Sequence, residues 1–213
     1  VLKEGLYEDA ERKETLLDLC RFSTNENDEI MSLSSYLEKM PENQKDIYYI
    51  SAETRSQALA SPHLEGFKSK NIPVLIMTDA IDQFWLPMIG SFKDKKFTSI
   101  TQGQINLDDL DEKNKDKKSE NKDQKEKQDK EFVDLIAQMK VVLGEQVKDI
   151  RLSSNLTDSP VCLVADDGDM DIAMEQLMAQ RDTNYKGAPR ILEINGDHSL
   201  IKNMKSLLSK KEN

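Results

Sequence analysis

Few side chains in this sequence combine a type and a spacing that suits covalent chemistry. The two histidines, His63 and His198, sit in Ser-Pro-His-Leu and Asn-Gly-Asp-His contexts, which predict an exposed or helix-capping role for each. Cys20 and Cys162 lie far apart and in neither a Cys-x-x-Cys nor a Cys/His ligand spacing, which predicts two reduced, buried thiols. Neither the Gly-x-Gly-x-x-Gly nor the Gly-x-x-x-x-Gly-Lys-Ser/Thr pattern occurs, so the sequence offers no glycine-rich cradle for phosphates. The acidic run from Asp166 to Asp171 does not have the ligand, glycine and glutamate positions of a calcium loop. It reads instead as the start of a helix, with Asp169 or Asp167 as the cap and the carboxylates favoured by the helix dipole. Catalytic residues and metal ligands are therefore not expected in this chain.

Binding is better supplied. Met170, Ala173, Met174, Leu177 and Met178 fall at i, i+3, i+4, i+7 and i+8, a complete apolar stripe with Asp171, Glu175, Gln176 and Gln180 opposite. Three of its five members are methionine. Such a stripe either packs into a core or, because methionine adapts to many surfaces, forms an exposed face for variable partners. Phe84, Trp85 and Met88 form a second candidate on a helix that carries Pro87. They serve as core or lid, or as a partly exposed hydrophobic patch of the kind that marks partner sites.

The elements that must position these residues alternate. Residues 8–22 and 29–40 read as helices, the second stopped by Pro41. Asp46–Ser51 is a β-branched and aromatic strand, followed by helices over 54–60 and 64–70. Pro73–Thr78 is a continuous apolar strand of the kind covered on both faces. A helix over 81–92, kinked or shortened by Pro87, leads to a strand over 96–100. Residues 1–107 thus predict a small α/β domain with a three-stranded parallel βαβαβ sheet. Residues 108–131 hold 18 charged side chains out of 24, a linker expected to be helical toward its end. It runs without glycine or proline into the stripe Phe132, Leu135, Ile136, Met139, Val142 and Leu143, a helix ending near Gly144. Residues 132–213 then predict a small α+β domain. Strands over 147–152 and 160–165 are expected as an antiparallel pair, with a helix over 170–181, a strand over 191–194 and a last helix over 199–209.

Composition bounds the partners. The 213 residues carry 40 acidic and 30 basic side chains, a formal charge of −10. That excess argues against a nucleic-acid binder, because no basic face is offered to phosphates. The longest apolar run, Ile72–Met77, is far short of the ~20 residues that span a bilayer. The chain begins at Val1 with no apolar leader, and it reads as a fragment of a cytosolic protein.

Four stretches, in order and over nearly the whole chain, carry a family resemblance. They are Lys3-Glu-Gly-Leu-Tyr-Glu-Asp with Leu16-Leu-Asp-Leu-Cys-Arg-Phe-Ser; Gln44-Lys-Asp-Ile-Tyr-Tyr-Ile; Val74-Leu-Ile-Met-Thr-Asp-Ala-Ile-Asp; and Arg151-Leu-Ser with Asp158-Ser-Pro-Val-Cys-Leu-Val. They resemble the heat-shock protein 90 chaperones in their bacterial, HtpG-like form. The resemblance implies that residues up to 107 are the small α/β part of the middle domain, and that Phe132 onward is a dimerisation-type C-terminal domain without its final helices. It implies unfolded or partly folded client proteins as partners, a homodimeric parent, a cytoplasmic stress-response role, and no nucleic-acid or membrane partner. The parent's weak ATPase, with its ATP and magnesium, is implied for an N-terminal domain that this chain lacks, leaving the chain itself no enzyme. It also implies client contacts by Met170, Met174, Leu177 and Met178, with Phe84 and Trp85 facing the same cleft. The sequence departs from the family at Asn195-Gly-Asp-His198, where the family tends to have Asn-Pro before the histidine. Two other readings stand beside this one: a structural dimerisation module with its methionine stripe buried, and a small α/β enzyme working in the crevice past its strand ends.

Overall fold

A computed structural model describes residues 2–9, 11–110, 118–182 and 185–211. The first half of the chain is built on one sheet. Helices α1 (Leu2–Glu8) and α2 (Lys13–Leu19) precede a short strand β1 (Ser23–Thr24) and helix α3 (Leu33–Lys39). Strand β2 (Ile47–Ser51), helices α4 (Arg55–Leu59) and α5 (Glu65–Ser69), strand β3 (Leu75–Met77) and helix α6 (Asp82–Ile89) follow, then strands β4 (Ser91–Phe92) and β5 (Lys95–Ser99). The strand order is β1-β3-β2-β5-β4. The three central strands are parallel, in register through Tyr49/Leu75 and Ile47/Phe97. Two-residue strands β1 and β4 add antiparallel edges that the sequence pattern does not reveal.

Alternation along the parallel strands builds two cores. Ile47, Leu75 and Met77 point to one face, with Leu17, Leu33, Tyr36, Trp85 and Leu86 from the helices. Tyr48, Ile50, Val74 and Ile76 point to the other, with Ala58, Leu64 and Phe67. The connection from β2 to β3 therefore covers one face and that from β3 to β5 the other, as parallel strands on opposite sides of β2 require.

Of the helix expected over residues 8–22 only Lys13–Leu19 forms as α2, and a separate helix, α1, precedes it and ends at Glu8. The Asp9 carboxylate accepts a hydrogen bond from the Arg12 backbone N–H at 3.1 Å and pairs with its guanidinium, a local turn that competes with helix continuation. Helix α6 stops at Ile89, three residues early, where Gly90 takes φ +69°.

The second half begins with the long helix α7 (Lys118–Leu143) and continues through strands β6 (Val147–Leu152) and β7 (Val161–Val164), helix α8 (Ile172–Arg181), strand β8 (Arg190–Ile194) and helix α9 (Ser199–Lys211). Residues 111–117, where part of the charged linker was expected, lie outside the described residues. Phe132, Leu135, Ile136, Met139 and Leu143 pack with Ile150, Ile194, Ile201, Met204 and Leu208. Val142 does not join them and is 76% exposed, because it lies off the i, i+3, i+4, i+7, i+11 line.

The expected antiparallel pairing of β6 with β7 is not formed. Strand β8 lies between them, parallel to β6 and antiparallel to β7. Four of its five residues are buried, the pattern of a central strand, and residues 157–159 of the β6–β7 connection are held elsewhere, so no hairpin closes.

The two sheets are joined by polar contacts. Ala165 at the end of β7 exchanges backbone hydrogen bonds with Thr101 and Gly103 just past β5, at 2.9 and 2.8 Å. The Glu65 carboxylate accepts hydrogen bonds from the backbone N–H groups of Thr157, Asp158 and Ser159 and from the Ser159 hydroxyl. Beside it, a Cβ on Gly66 would come within 2.7 Å of the Asn155 carbonyl oxygen, so this close approach requires glycine.

Candidate functional site

Helix α8 starts where the acidic run ends. Asp171 is its N-cap, accepting from the Ala173 N–H at 2.8 Å, and not Asp169 or Asp167 as the sequence suggests. The other Asp171 oxygen accepts hydrogen bonds from the hydroxyls of Ser99 and Thr101 at the carboxyl end of β5. Asp169 and Asp166 instead share the Lys148 ammonium, at 3.0 and 2.8 Å. Among the described residues no group of histidine, cysteine and carboxylate side chains is arranged to hold a metal ion.

This placement answers where chemistry could occur in the α/β half. In an open parallel sheet, ligands bind past the carboxyl ends of the strands, where the strand order reverses. Here that crevice, between β2 and β5, is occupied by Asp171 and the start of α8.

The methionine stripe is on the surface. No residue of α8 is buried. Met170 and Met178 are 39% and 37% exposed, and Met174 and Leu177 are half-buried. The helix is pinned at its start by Asp171 and by Arg190, which pairs with Glu175 and donates to the Met170 carbonyl at 3.0 Å. At its other end the Arg181 guanidinium lies over the Phe84 ring, 5.9 Å from the centroid. That contact brings Phe84 to the end of the methionine helix, beside a cleft of about 290 Å³ that runs between α8 and the ends of β2 and β3 and is lined by Gln83, Ala173, Gln176, Leu177 and Gln180 and not by Phe84 or the methionines of the stripe.

Trp85 is not part of this surface, which corrects the sequence expectation. It is fully buried, tilted against Phe22 and edge-on to Phe97, with its indole N–H donating to Asp82 at 2.7 Å. Successive helical residues point about 100° apart, so Phe84 and Trp85 serve different sides of α6, Trp85 buried and Phe84 only partly so. Asp82, Trp85, Leu86 and Ile89 form the inward line at i, i+3, i+4 and i+7, and Phe84 and Met88 face away from it.

The remaining reactive side chains are structural. His63 is not exposed: it lines a cavity of about 20 Å³ between the two sheets with Asn155, Cys162 and Glu193. Burial pushes its pKa down, against the pull of the Glu193 and Asp171 carboxylates. His198 does cap, its Nδ1 accepting from the Leu200 N–H at 3.1 Å. Both cysteines are free and buried. Burial pushes both thiols up, Cys162 to about 12, which suppresses the nucleophilic thiolate. Sequence reasoning did not single out Glu65, Asn155 or Gln102, which hold the halves together and so set where α8 lies. Their partners are 50 or more residues away, and no local pattern marks such pairs.

The comparisons with known proteins agree with one another. The family model described as Hsp90 protein matches residues 1–213. The chain is 42% identical over 201 residues to chaperone protein HtpG of Roseobacter denitrificans, covering 94% of this chain and 32% of that one. It is 38% identical over 205 residues to chaperone protein HtpG of Streptomyces coelicolor, covering 96% and 31%. It is also 39% identical over 224 residues to chaperone protein HtpG of Wolbachia pipientis, covering 100% and 34%. The chain thus spans about a third of the length of the curated relatives it matches.

Proposed function

This chain belongs to the Hsp90 family, in its HtpG-like form, and from that premise we propose that it is a client-contacting segment of an ATP-dependent chaperone. Unfolded or partly folded proteins dock reversibly on Met170, Met174, Leu177 and Met178, with Phe84 at the end of the same helix, under Arg181. The observation that carries this reading is the surface of α8: Ala173, Met174, Leu177 and Met178 share one side of a helix with no fully buried residue, and Met170 stands exposed just before its N-cap. Three methionines make that stripe adaptable, which suits clients that share no sequence. The exposure of Met170 and Met178 argues against a structural module with a buried stripe, and the filled crevice at the strand ends argues against an α/β enzyme.

In this reading the chain contributes no catalytic residue. The ATP, the magnesium and the weak ATPase of the whole protein belong outside these residues, which contain no glycine-rich phosphate cradle. The whole protein acts as a cytoplasmic homodimer, with neither nucleic acid nor membrane as a partner. Among the described residues no helix is long and apolar enough to cross a membrane. The test is suppression of aggregation of a chemically unfolded enzyme by the chain, compared with Met174→Ser/Met178→Ser. Weakened suppression at an unchanged urea midpoint is expected. Equal suppression overturns the site.

A further inference from the structure

Between β8 and α9 the chain carries Asn195–Gly196, the one Asn-Gly pair among its 213 residues. An asparagine followed by glycine deamidates without an enzyme, because glycine has no Cβ to keep its backbone nitrogen away from the neighbouring side-chain amide. The Gly196 nitrogen bonds to Asn195 Cγ, the Cγ–Nδ2 bond breaks, and Nδ2 leaves as ammonia with the Gly196 proton. Water then opens the five-membered imide at either carbonyl and returns a proton to the Gly196 nitrogen, which leaves aspartate or isoaspartate in place of Asn195. Proline, which the family tends to have at the second position, has no N–H for the first step.

The fold holds this pair shut. Asn195 and Gly196 are both buried. Asn195 Nδ2 donates to the carbonyls of Thr157 and Ser159 at 3.3 and 3.1 Å, and Oδ1 accepts from the Asp197 N–H at 3.0 Å. The Asn195 backbone N–H donates to the Pro160 carbonyl at 2.8 Å, and its C=O accepts from the His198 N–H at 3.1 Å. Nδ2 leaves only when both of its bonds break, and ring closure must also turn a residue fixed through its side-chain amide and both backbone polar groups. Residues 157–159 are thereby held from two sides, their N–H groups by Glu65 of the first half and two of their carbonyls by Asn195. A carboxylate in place of Asn195 has no hydrogen to donate to those carbonyls, and it sets a second negative charge against the segment that Glu65 clamps.

We propose that Asn195–Gly196 is a modification site gated by the fold: closed in the folded chain, it deamidates when β8 and the 157–159 segment part, and the acid so formed keeps that segment from being clamped again. Water is the only co-reactant. The site turns a passing loss of structure into a covalent change, one of the ways in which unfolding becomes irreversible. The change falls on the junction between the two halves, and so on the placement of α8. It stands independently of the client-binding reading.

The test incubates the 213-residue chain at mildly alkaline pH, folded in buffer or unfolded in concentrated guanidinium chloride, and reads deamidation by peptide mass mapping at acid pH. In the unfolded chain Asn195 should deamidate faster than every other asparagine. In the folded chain it should react at least tenfold more slowly than in the unfolded one, because two buried hydrogen bonds must break first. Gly196→Pro should slow the unfolded reaction at least tenfold, which identifies the attacking nitrogen. The deamidated chain carries one more negative charge, so ion exchange separates it from unmodified chain of the same incubation, and both are returned to buffer. The unmodified chain should refold. The deamidated chain should fail to refold, or refold with the amide hydrogens of residues 157–159 exchanging at least tenfold faster. The proposal is overturned by a folded rate within tenfold of the unfolded rate, by an unfolded Asn195 that is no faster than other asparagines or is unaffected by Gly196→Pro, or by a deamidated chain that refolds and exchanges at 157–159 like its unmodified control.

Discussion

Helices α6 and α8 face each other across one cleft, and both carry an apolar stripe with helical spacing. The molecule uses them in opposite ways. Helix α6 buries Trp85 completely and Leu86 almost so, whereas no residue of α8 is more than partly buried. The difference lies in what each helix meets. Helix α6 is the crossover between parallel strands and lies on the sheet face, where Leu75, Met77 and Phe97 offer continuous apolar surface. Helix α8 meets the same sheet at its carboxyl edge, where the strands present hydroxyls and backbone, and it is fixed there by Asp171 on Ser99 and Thr101. A sheet face can absorb a stripe, while a sheet edge anchors the end of a helix and leaves its stripe open.

Breaking the buried side of the comparison should have the largest effect. Trp85→Ala removes the largest fully buried side chain and its hydrogen bond to Asp82, and should cost about 3–5 kcal/mol. That is a large share of a small domain's stability, and a urea melt followed by circular dichroism reads it directly. Asp82→Ala comes next. Asp82 is fully buried and holds both the Lys3 ammonium, at 2.9 Å, and the Trp85 N–H. Removing it leaves the largely buried Lys3 with Asp79 alone, at 2.7 Å, and the buried indole N–H with no acceptor, for which about 2 kcal/mol is expected. Asp82→Asn, which keeps an acceptor for the indole, should lose clearly less in the same melt.

The contact between the two halves has a smaller and pH-dependent contribution. Burial raises the Glu65 pKa, but the Ser159 hydroxyl and the N–H groups of Asp158, Ser159 and Thr157 outweigh it and hold the carboxyl below its ordinary 4.5. A depressed carboxylate stabilises fully above its unfolded value, and the contribution is lost as pH falls through the lower folded value. Glu65→Gln should therefore cost about 1 kcal/mol at neutral pH. The gap between variant and parent should close as the pH drops below 4.5, which melting curves over an acid series will show.

What was legible in the sequence, and what was not, follows the same division. The apolar runs of β2 and β3 and the stripes of α7 and α8 announce themselves because their periodicity is local. The inward line Asp82, Trp85, Leu86, Ile89 was legible too, but neighbouring aromatics drew Phe84 and Trp85 into one patch that the helix separates. The insertion of β8 between β6 and β7, the Glu65 clamp and the burial of His63 were not legible. Each depends on partners brought together from distant parts of the chain, and neither propensity nor spacing records such pairs. The methionine stripe shows the limit best. Its pattern told that one face of α8 is apolar, and only the docking of its first residue on β5 decides that this face stays open.

The smallest expected effect is the one that sharpens the comparison most. Met174→Ser/Met178→Ser changes a half-buried and a 37%-exposed side chain on a helix with no buried residue. If α8 contributes its stripe to binding and not to the core, the double substitution should move stability by no more than about 1 kcal/mol, since surface changes usually stay within about 0.5 kcal/mol each. Truncating a core methionine costs roughly 2–5 kcal/mol, so the two cases are well separated in the urea midpoint. A midpoint loss approaching that of Trp85→Ala would make α8 a second α6 and remove the contrast on which the client surface depends. A small loss, together with weakened suppression of aggregation, would tie the open stripe to its work, because the same two atoms of sulfur would then matter little to the fold and much to the partner.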